Sequence, residues 1–99
     1  MSRFLFLFAI LASSSCKSLS PHENFKDHMS SAVGKKISDP HTWARDDRQV
    51  SVRPLENGNV EHKYTFRRSC WYFFEVEKSS GLIVGWRFEG SEKDCAIAP

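Results

Sequence analysis

The stretch that decides the fold is a pair of apolar runs near the end of the chain, Cys70-Trp71-Tyr72-Phe73-Phe74-Glu75-Val76 and Leu82-Ile83-Val84-Gly85-Trp86-Arg87-Phe88. Both runs alternate with period two and are rich in aromatic and β-branched residues, which is typical of β-strands. The polar segment between them, residues 77–81, ends in a glycine and predicts a hairpin loop. The sequence therefore predicts an antiparallel hairpin at the centre of the fold.

The alternation also predicts which residues of this hairpin share a face. Pairing Val76 with Leu82 puts the large apolar residues on one side, and a slip of one residue would disperse them. The further pairs in that register are Phe74 with Val84, Tyr72 with Trp86 and Cys70 with Phe88. The opposite face then carries Trp71, Phe73 and Ile83. That second face is either covered or an apolar patch available to a partner.

A second hairpin is predicted upstream, from residues 49–54 and 59–66, which a Glu56-Asn57-Gly58 turn separates. A two-residue loop would mix the two faces of this hairpin. A three-residue loop with Gly58 in the left-handed region instead opposes Val50 to Tyr64 and Val52 to His62. We predict this second arrangement because it buries one consistent face.

A helix is predicted over residues 21–33. Ser20 is a suitable N-cap, Pro21 occupies the first helical position, and Glu23 completes a capping box. Apolar residues follow at helical spacing, and Gly34 ends the helix. The expected fold is α+β, with one N-terminal helix packed on a four-stranded antiparallel β-meander in a single domain, residues 21–99.

The beginning of the chain has the pattern of a secretory signal peptide, residues 1–15. Arg3 gives a short positive region, and the apolar run at 4–11 is too short for a bilayer span, which needs about 20 residues. The run Leu11-Ala12-Ser13-Ser14-Ser15-Cys16 resembles a bacterial lipobox, which implies that Cys16 carries acyl chains such as palmitate and that residues 16–20 form a linker. Ser13 stands where leucine is usual, so cleavage without lipidation, giving a soluble periplasmic or secreted product, remains an alternative.

The cysteine count supports lipidation, because three cysteines leave one unpaired in an oxidising compartment. If Cys16 carries lipid, Cys70 and Cys95 remain as a disulfide pair, worth about 3.5 kcal/mol for a loop of roughly 26 residues. Two free thiols are the alternative. Lys17 replaces the Asp that retains enterobacterial lipoproteins at the inner membrane, and this resemblance implies an anchor on the periplasmic face of the outer membrane.

Composition and motifs argue against several functions. The chain has 99 residues and a formal charge of +2 at pH 7, without a basic stripe, so no nucleic-acid partner is expected. No two of the four histidines have the i, i+4 spacing of a helical zinc site, and no phosphate loop or serine nucleophile motif occurs. We expect no enzyme, metal or cofactor.

Arg67 and Arg68 lie beside Trp71 and form a basic and aromatic cluster. With Phe73 and Ile83 they make up the candidate partner surface, for an acidic protein, a lipid headgroup or a cell-wall polymer. A solvated strand end is the alternative interpretation.

The order of these elements resembles the small outer-membrane lipoproteins of the SmpA/OmlA (BamE-like) group. The matching parts are Cys16, the helix from Pro21, the strands 64–66, 70–76 and 84–90, and Cys95. The resemblance implies a non-catalytic accessory role in outer-membrane or envelope assembly, through protein–protein contacts. The alternative function is a secreted or anchored inhibitor or immunity protein that blocks a periplasmic or cell-wall enzyme, through the loop 77–81 or 89–94.

Overall fold

The computed structural model describes residues 19–98. Within this range one α-helix and four strands follow in the order α1 (Pro21–Ser30), β1 (Gln49–Pro54), β2 (Val60–Thr65), β3 (Cys70–Val76) and β4 (Ile83–Gly90). A short 3-10 helix, Asp46–Arg48, precedes β1. The strands form one antiparallel sheet in the order β1-β2-β3-β4. The predicted α+β class, with one helix and a four-stranded antiparallel sheet, is confirmed.

Helix α1 begins at the predicted capping box. The Ser20 hydroxyl accepts from the backbone N–H of Glu23, and the Glu23 carboxylate accepts from the backbone N–H of Ser20, both at 3.2 Å. The helix ends at Ser30, three residues before the predicted end, and the chain continues in turns to Gly34, which has a φ of +94°. This change of direction leaves Val33 exposed rather than on the apolar face.

The hairpin β1–β2 has the predicted three-residue loop. Leu55 N–H donates to Asn59 O at 2.8 Å, and Gly58 has a φ of +91°. The predicted pair Val52–His62 is present, but a register shift near Val50 pairs Gln49 with Tyr64 instead. Val50 and Val52 are 53% and 47% exposed, so the expectation that this face is buried along β1 is wrong.

The hairpin β3–β4 differs from the predicted register. Val76 pairs with Ile83 rather than Leu82, and Glu75 pairs with Gly85. Val84 lies between these two partners as an unpaired extra residue, a β-bulge in β4. The bulge resets the alternation: Phe74 faces Trp86 and Tyr72 faces Phe88. Ile83 is therefore fully buried in the core and Val84 is 45% exposed, which corrects the predicted placement of Ile83 on the outer face.

The core cluster combines buried residues of α1 with buried residues of the strands. Phe25 and Met29 of α1 are fully buried, and the Phe25 ring lies 5.9 Å from the ring of Phe88 on β4. The other large, fully buried residues come from the strands and the disulfide: Tyr64, Tyr72, Phe74, Ile83, Cys70 and Cys95. The last two stand at disulfide distance, as predicted, with their Cα atoms 5.3 Å apart.

Candidate functional site

A carboxylate lies between two guanidinium groups on the open face of the sheet. We define the open face by the side chains turned away from α1, namely Arg53, Glu61, Lys63, Trp71, Phe73, Glu75 and Arg87. Glu61 accepts from Arg53 Nη2 at 2.9 Å, and from Arg87 Nε and Nη2 at 2.9 and 3.1 Å. Arg53 is its direct cross-strand neighbour, whereas Arg87 reaches it across β3 beside Gly85, which has no side chain.

This arrangement favours the ionised form of Glu61. Hydrogen bonds from Arg87 and then from Arg53 hold the pKa of the Glu61 carboxyl below its ordinary value of 4.5, although burial opposes them. The same pairing raises the pKa of Arg87. A carboxylate that is ionised at neutral pH and bound by two guanidinium groups holds those groups in place, and it is a poor general acid.

Two cations cover the aromatic side chains of the open face. The Arg87 guanidinium lies 3.6 Å from the centroid of the Phe73 ring, and Lys63 Nζ lies 5.5 Å from both the Phe73 and the Trp71 rings. Phe73 is only 5% exposed as a result, whereas Trp71 is half-buried. The predicted outer apolar face is thus an aromatic layer beneath Arg and Lys side chains.

The structure separates the five residues of the predicted partner surface. Trp71 and Phe73 lie on the open face, and Ile83 lies in the core on the other side of the sheet. Arg67 and Arg68 are exposed in the turn between β2 and β3, where Arg68 has a φ of +33°. The Arg67 guanidinium lies 5.1 Å from the centroid of the Phe66 ring. Cys16, the predicted lipidation site, lies outside the described residues.

At the end of the open face near the β1–β2 loop, Glu75 accepts hydrogen bonds from Asn59 at 2.7 Å and Asn57 at 3.0 Å. These bonds, from Asn59 first, lower the pKa of the Glu75 carboxyl. They tie the loop of the first hairpin to the central strand β3. This end of the face is therefore a fixed polar border.

Glu61, Lys63 and Arg87 were not among the site residues predicted from the sequence. The alternation of β2 does place Glu61 and Lys63 on one face together, and that signal was available. Arg87 pairs with Phe73, but this pair follows only from the bulge in β4. The register predicted from the sequence assigned Arg87 and Phe73 to different pairs, so it could not predict the contact between them.

A cleft of about 390 Å³ opens on the other face of the sheet, where α1 does not cover β2. Its floor is formed by His62 and Tyr64, and its walls are formed by Ile37, Ser38, Asp39, Pro40, Ala44, Asp46 and Gln49. The wall segment is held to the sheet by the Tyr72 hydroxyl, which donates to Trp43 O at 2.6 Å. Burial lowers the pKa of His62 and raises that of Tyr64.

Within residues 19–98, no group of three or more His, Cys, Asp or Glu side chains is arranged to hold a metal ion. None of the helical structure in that same part of the chain is long and apolar enough to cross a membrane.

Comparison of the chain with protein-family models, with curated proteins and with solved structures gives no match. The resemblance to the SmpA/OmlA (BamE-like) group stays a prediction.

Proposed function

We propose that the protein is a non-catalytic, lipid-anchored envelope protein of the periplasm, acting as an accessory in outer-membrane or envelope assembly through protein–protein contacts. The observation that supports this most directly is the open face, where Trp71 stays accessible beside the cation-covered Phe73. Aromatic and arginine side chains are enriched at protein interfaces and dominate their binding energy.

The electrostatics of the open face favour a contact surface over a reaction site. Glu61 and Glu75 both have lowered pKa values, and each accepts hydrogen bonds from two side chains. Neither carboxyl is poised to exchange a proton near neutral pH. Arg87 is paired with Glu61 and, at 3.0 Å, with Glu89, which is the direct cross-strand neighbour of Trp71. Lys63 forms no ion pair within residues 19–98, so its positive charge beside Trp71 suits an acidic partner surface.

In this proposal the anchor is attached at Cys16, and residues 21–99 form a single domain in which α1 packs on the sheet. Intact mass of the protein from the membrane fraction tests the anchor. We expect a chain that begins at Cys16 and carries acyl chains, with two further thiols that alkylate only after reduction. A soluble, unacylated product would overturn the anchor and would favour the inhibitor function.

A photo-crosslinking amino acid at position 71 tests the contact surface in intact cells. We expect crosslinks to one envelope protein that disappear in the Arg87→Glu variant, because charge reversal repels an acidic partner. Position 33 is the control, since Val33 is 44% exposed and follows α1, outside the open face. Crosslinks from position 78 in the β3–β4 loop to a hydrolase, with none from position 71, would favour the inhibitor function instead.

A further inference from the structure

The cleft above His62 and Tyr64 carries negative charge without an internal counter-ion. Asp39 and Asp46 line it, and its lining contains no Lys or Arg. Among residues 19–98 the Asp39 carboxylate contacts only the neighbouring His41, at 3.2 Å to Nδ1, and Asp46 makes no ion pair.

Basic side chains lie near the cleft without entering its lining. Lys35 helps to lower the pKa of Asp39, after the hydrogen bond from His41 N–H, but forms no ion pair with it within residues 19–98. Arg48 has a buried Nε without a partner in the same range. Arg45 pairs with Asp47 at 3.3 Å, and Arg48 Nη1 donates to Phe66 O at 2.9 Å. Burial lowers the pKa of His62, so its ring is neutral near neutral pH and supplies no positive charge. The cleft is therefore acidic and open to a cation from outside.

A buried hydroxyl in the floor of the cleft lacks a good partner. Tyr64 is 1% exposed, and its hydroxyl oxygen has only a 3.5 Å contact with His62 Nδ1. Ordinary hydrogen bonds of this kind are about 0.5 Å shorter. Since buried polar groups are normally satisfied, this hydroxyl is free to accept a hydrogen bond from a group that enters the cleft.

The exposed edge strand β1 borders the same cleft. Val52 pairs with His62, so its side chain lies on the same face of the sheet as the floor of the cleft. Val50 and Val52 are both exposed. Leu55 N–H donates to Asn59 O, next to β2. Hydrogen-bonded and non-hydrogen-bonded pairs alternate along an antiparallel ladder, so the N–H and C=O of Val52, three residues earlier, point away from β2. Pro54, at the end of the strand, is placed as proline is in edge strands.

We propose that an extended segment of a partner protein adds to β1 as a further strand and inserts a Lys or Arg side chain into the cleft between Asp39 and Asp46. Backbone pairing along β1 supplies affinity, and the basic side chain supplies specificity. The Tyr64 hydroxyl accepts a hydrogen bond from the inserted cation, and apolar residues of the segment cover Val50 and Val52. This inference rests on the proposed role in protein–protein contacts and names the chemistry of one partner.

Binding of short blocked peptides to the protein purified from membranes tests the inference. The probe is acetyl-Val-Thr-Arg-Thr-Val-amide, and the control peptide has Glu in place of Arg. We expect the Arg peptide to shift the NMR signals of His62, Tyr64 and Val52 and to bind at least about tenfold more tightly than the Glu peptide. Equal binding of the two peptides, or no shift at these residues, would overturn the inference.

Two pairs of variants separate the charge from the strand edge. Asp46→Asn should weaken the Arg peptide by about fivefold or more, whereas Asp27→Asn on the exposed side of α1 should not. Val52→Lys should abolish binding, and Val84→Lys, at a similarly exposed position on β4, should leave it unchanged. Loss of binding in both valine variants would overturn the assignment to β1.

The peptide assay does not depend on the lipid anchor. If the protein carries no acyl chains but still binds the Arg peptide, the proposed lipid anchor is contradicted and the proposed binding site in the cleft is supported. If the protein is acylated but binds neither peptide, the proposed binding site in the cleft is contradicted and the lipid anchor is supported.

Discussion

The guanidinium carbon of Arg87 lies 3.6 Å from the centroid of the Phe73 ring, and the same side chain donates two hydrogen bonds to Glu61. One residue of β4 therefore covers the central aromatic ring of the open face and also binds its central carboxylate. Removing this side chain should affect both packing and charge on that face.

We expect Arg87→Ala to lower the free energy of unfolding by about 1–2 kcal/mol, because it uncovers Phe73 and leaves Glu61 with Arg53 alone. Arg45→Ala should change it by less than about 0.5 kcal/mol, since Arg45 forms an exposed pair with Asp47. Urea unfolding measures both values. Equal stability of the two variants would show that the Arg87 contacts are not formed.

The stability of the protein should fall in acid partly through Glu61. In the folded protein the pKa of Glu61 lies below its ordinary value of 4.5. The ion pairs of Glu61 therefore contribute fully to the free energy of unfolding above the pKa of the unfolded chain, and this contribution is lost as the pH falls through the pKa of the folded protein. The difference in stability between the natural protein and Glu61→Gln should therefore be constant above about pH 5 and shrink below it. Urea midpoints collected from neutral pH down to about pH 3 check this. A difference that does not change with pH would contradict it.

Two buried tyrosines provide a matched test of the hydrogen bond that holds the 37–48 segment. Tyr72→Phe removes the 2.6 Å bond to Trp43 O and should lower stability by about 1–2 kcal/mol. Tyr64→Phe removes only a 3.5 Å contact and should be nearly neutral. Thermal unfolding measures the effect, and a larger loss for Tyr64→Phe would refute the assignment.

Alkaline titration should show no ionised tyrosine in the folded protein near the ordinary pKa of 10. Burial raises the pKa of Tyr72 to about 12 and raises that of Tyr64 as well. The unfolded chain releases these protons first, so stability falls as the pH rises above about 10. Tyrosinate absorbance should then appear together with the loss of ellipticity. Absorbance that rises well before unfolding would contradict this expectation.

Gly90 and Gly85 of β4 should respond differently to substitution by alanine. Gly90 has a φ of +130°, and an added Cβ would clash with Ser69 O, close to the disulfide. We expect Gly90→Ala to lower stability by about 2 kcal/mol or more. Gly85 has open space around its Cβ position, so Gly85→Ala should be nearly neutral. Calorimetry compares the two variants, and similar melting temperatures would be inconsistent with the close approach of Gly90 to Ser69 O.

Local signals in the sequence predicted the starts and turns of the elements well. The Ser20–Glu23 capping box, the three-residue loop at Gly58 and the strand Cys70–Val76 depend on neighbouring residues, and all three occur as expected. The α+β class followed from the two periodicities. The disulfide distance between Cys70 and Cys95 followed from cysteine counting combined with the lipobox.

The missed features depend on tertiary contacts. Ile83 and Val84 are both β-branched and apolar, so alternation cannot tell which of them faces the core; the bulge decides it. Likewise Val50 and Val52 look like core residues, yet α1 contacts β4 at the opposite edge of the sheet and leaves them exposed. Because the Arg87–Glu61–Arg53 bridge joins residues of β1, β2 and β4 and passes over β3, it could not be derived without the correct register.

The start of α1 and the last described residues lie side by side, since Ile97 N–H donates to Pro21 O at 2.9 Å and His22 Nδ1 donates to Cys95 O at 2.8 Å. The two ends of the described part of the chain, residues 19–98, are therefore close together in space. Chains whose ends meet in this way tolerate circular permutation. A short linker from residue 98 to residue 20, with new ends opened between Lys78 and Ser79, should preserve the same sheet. The order of elements along the gene is therefore separable from their order in space.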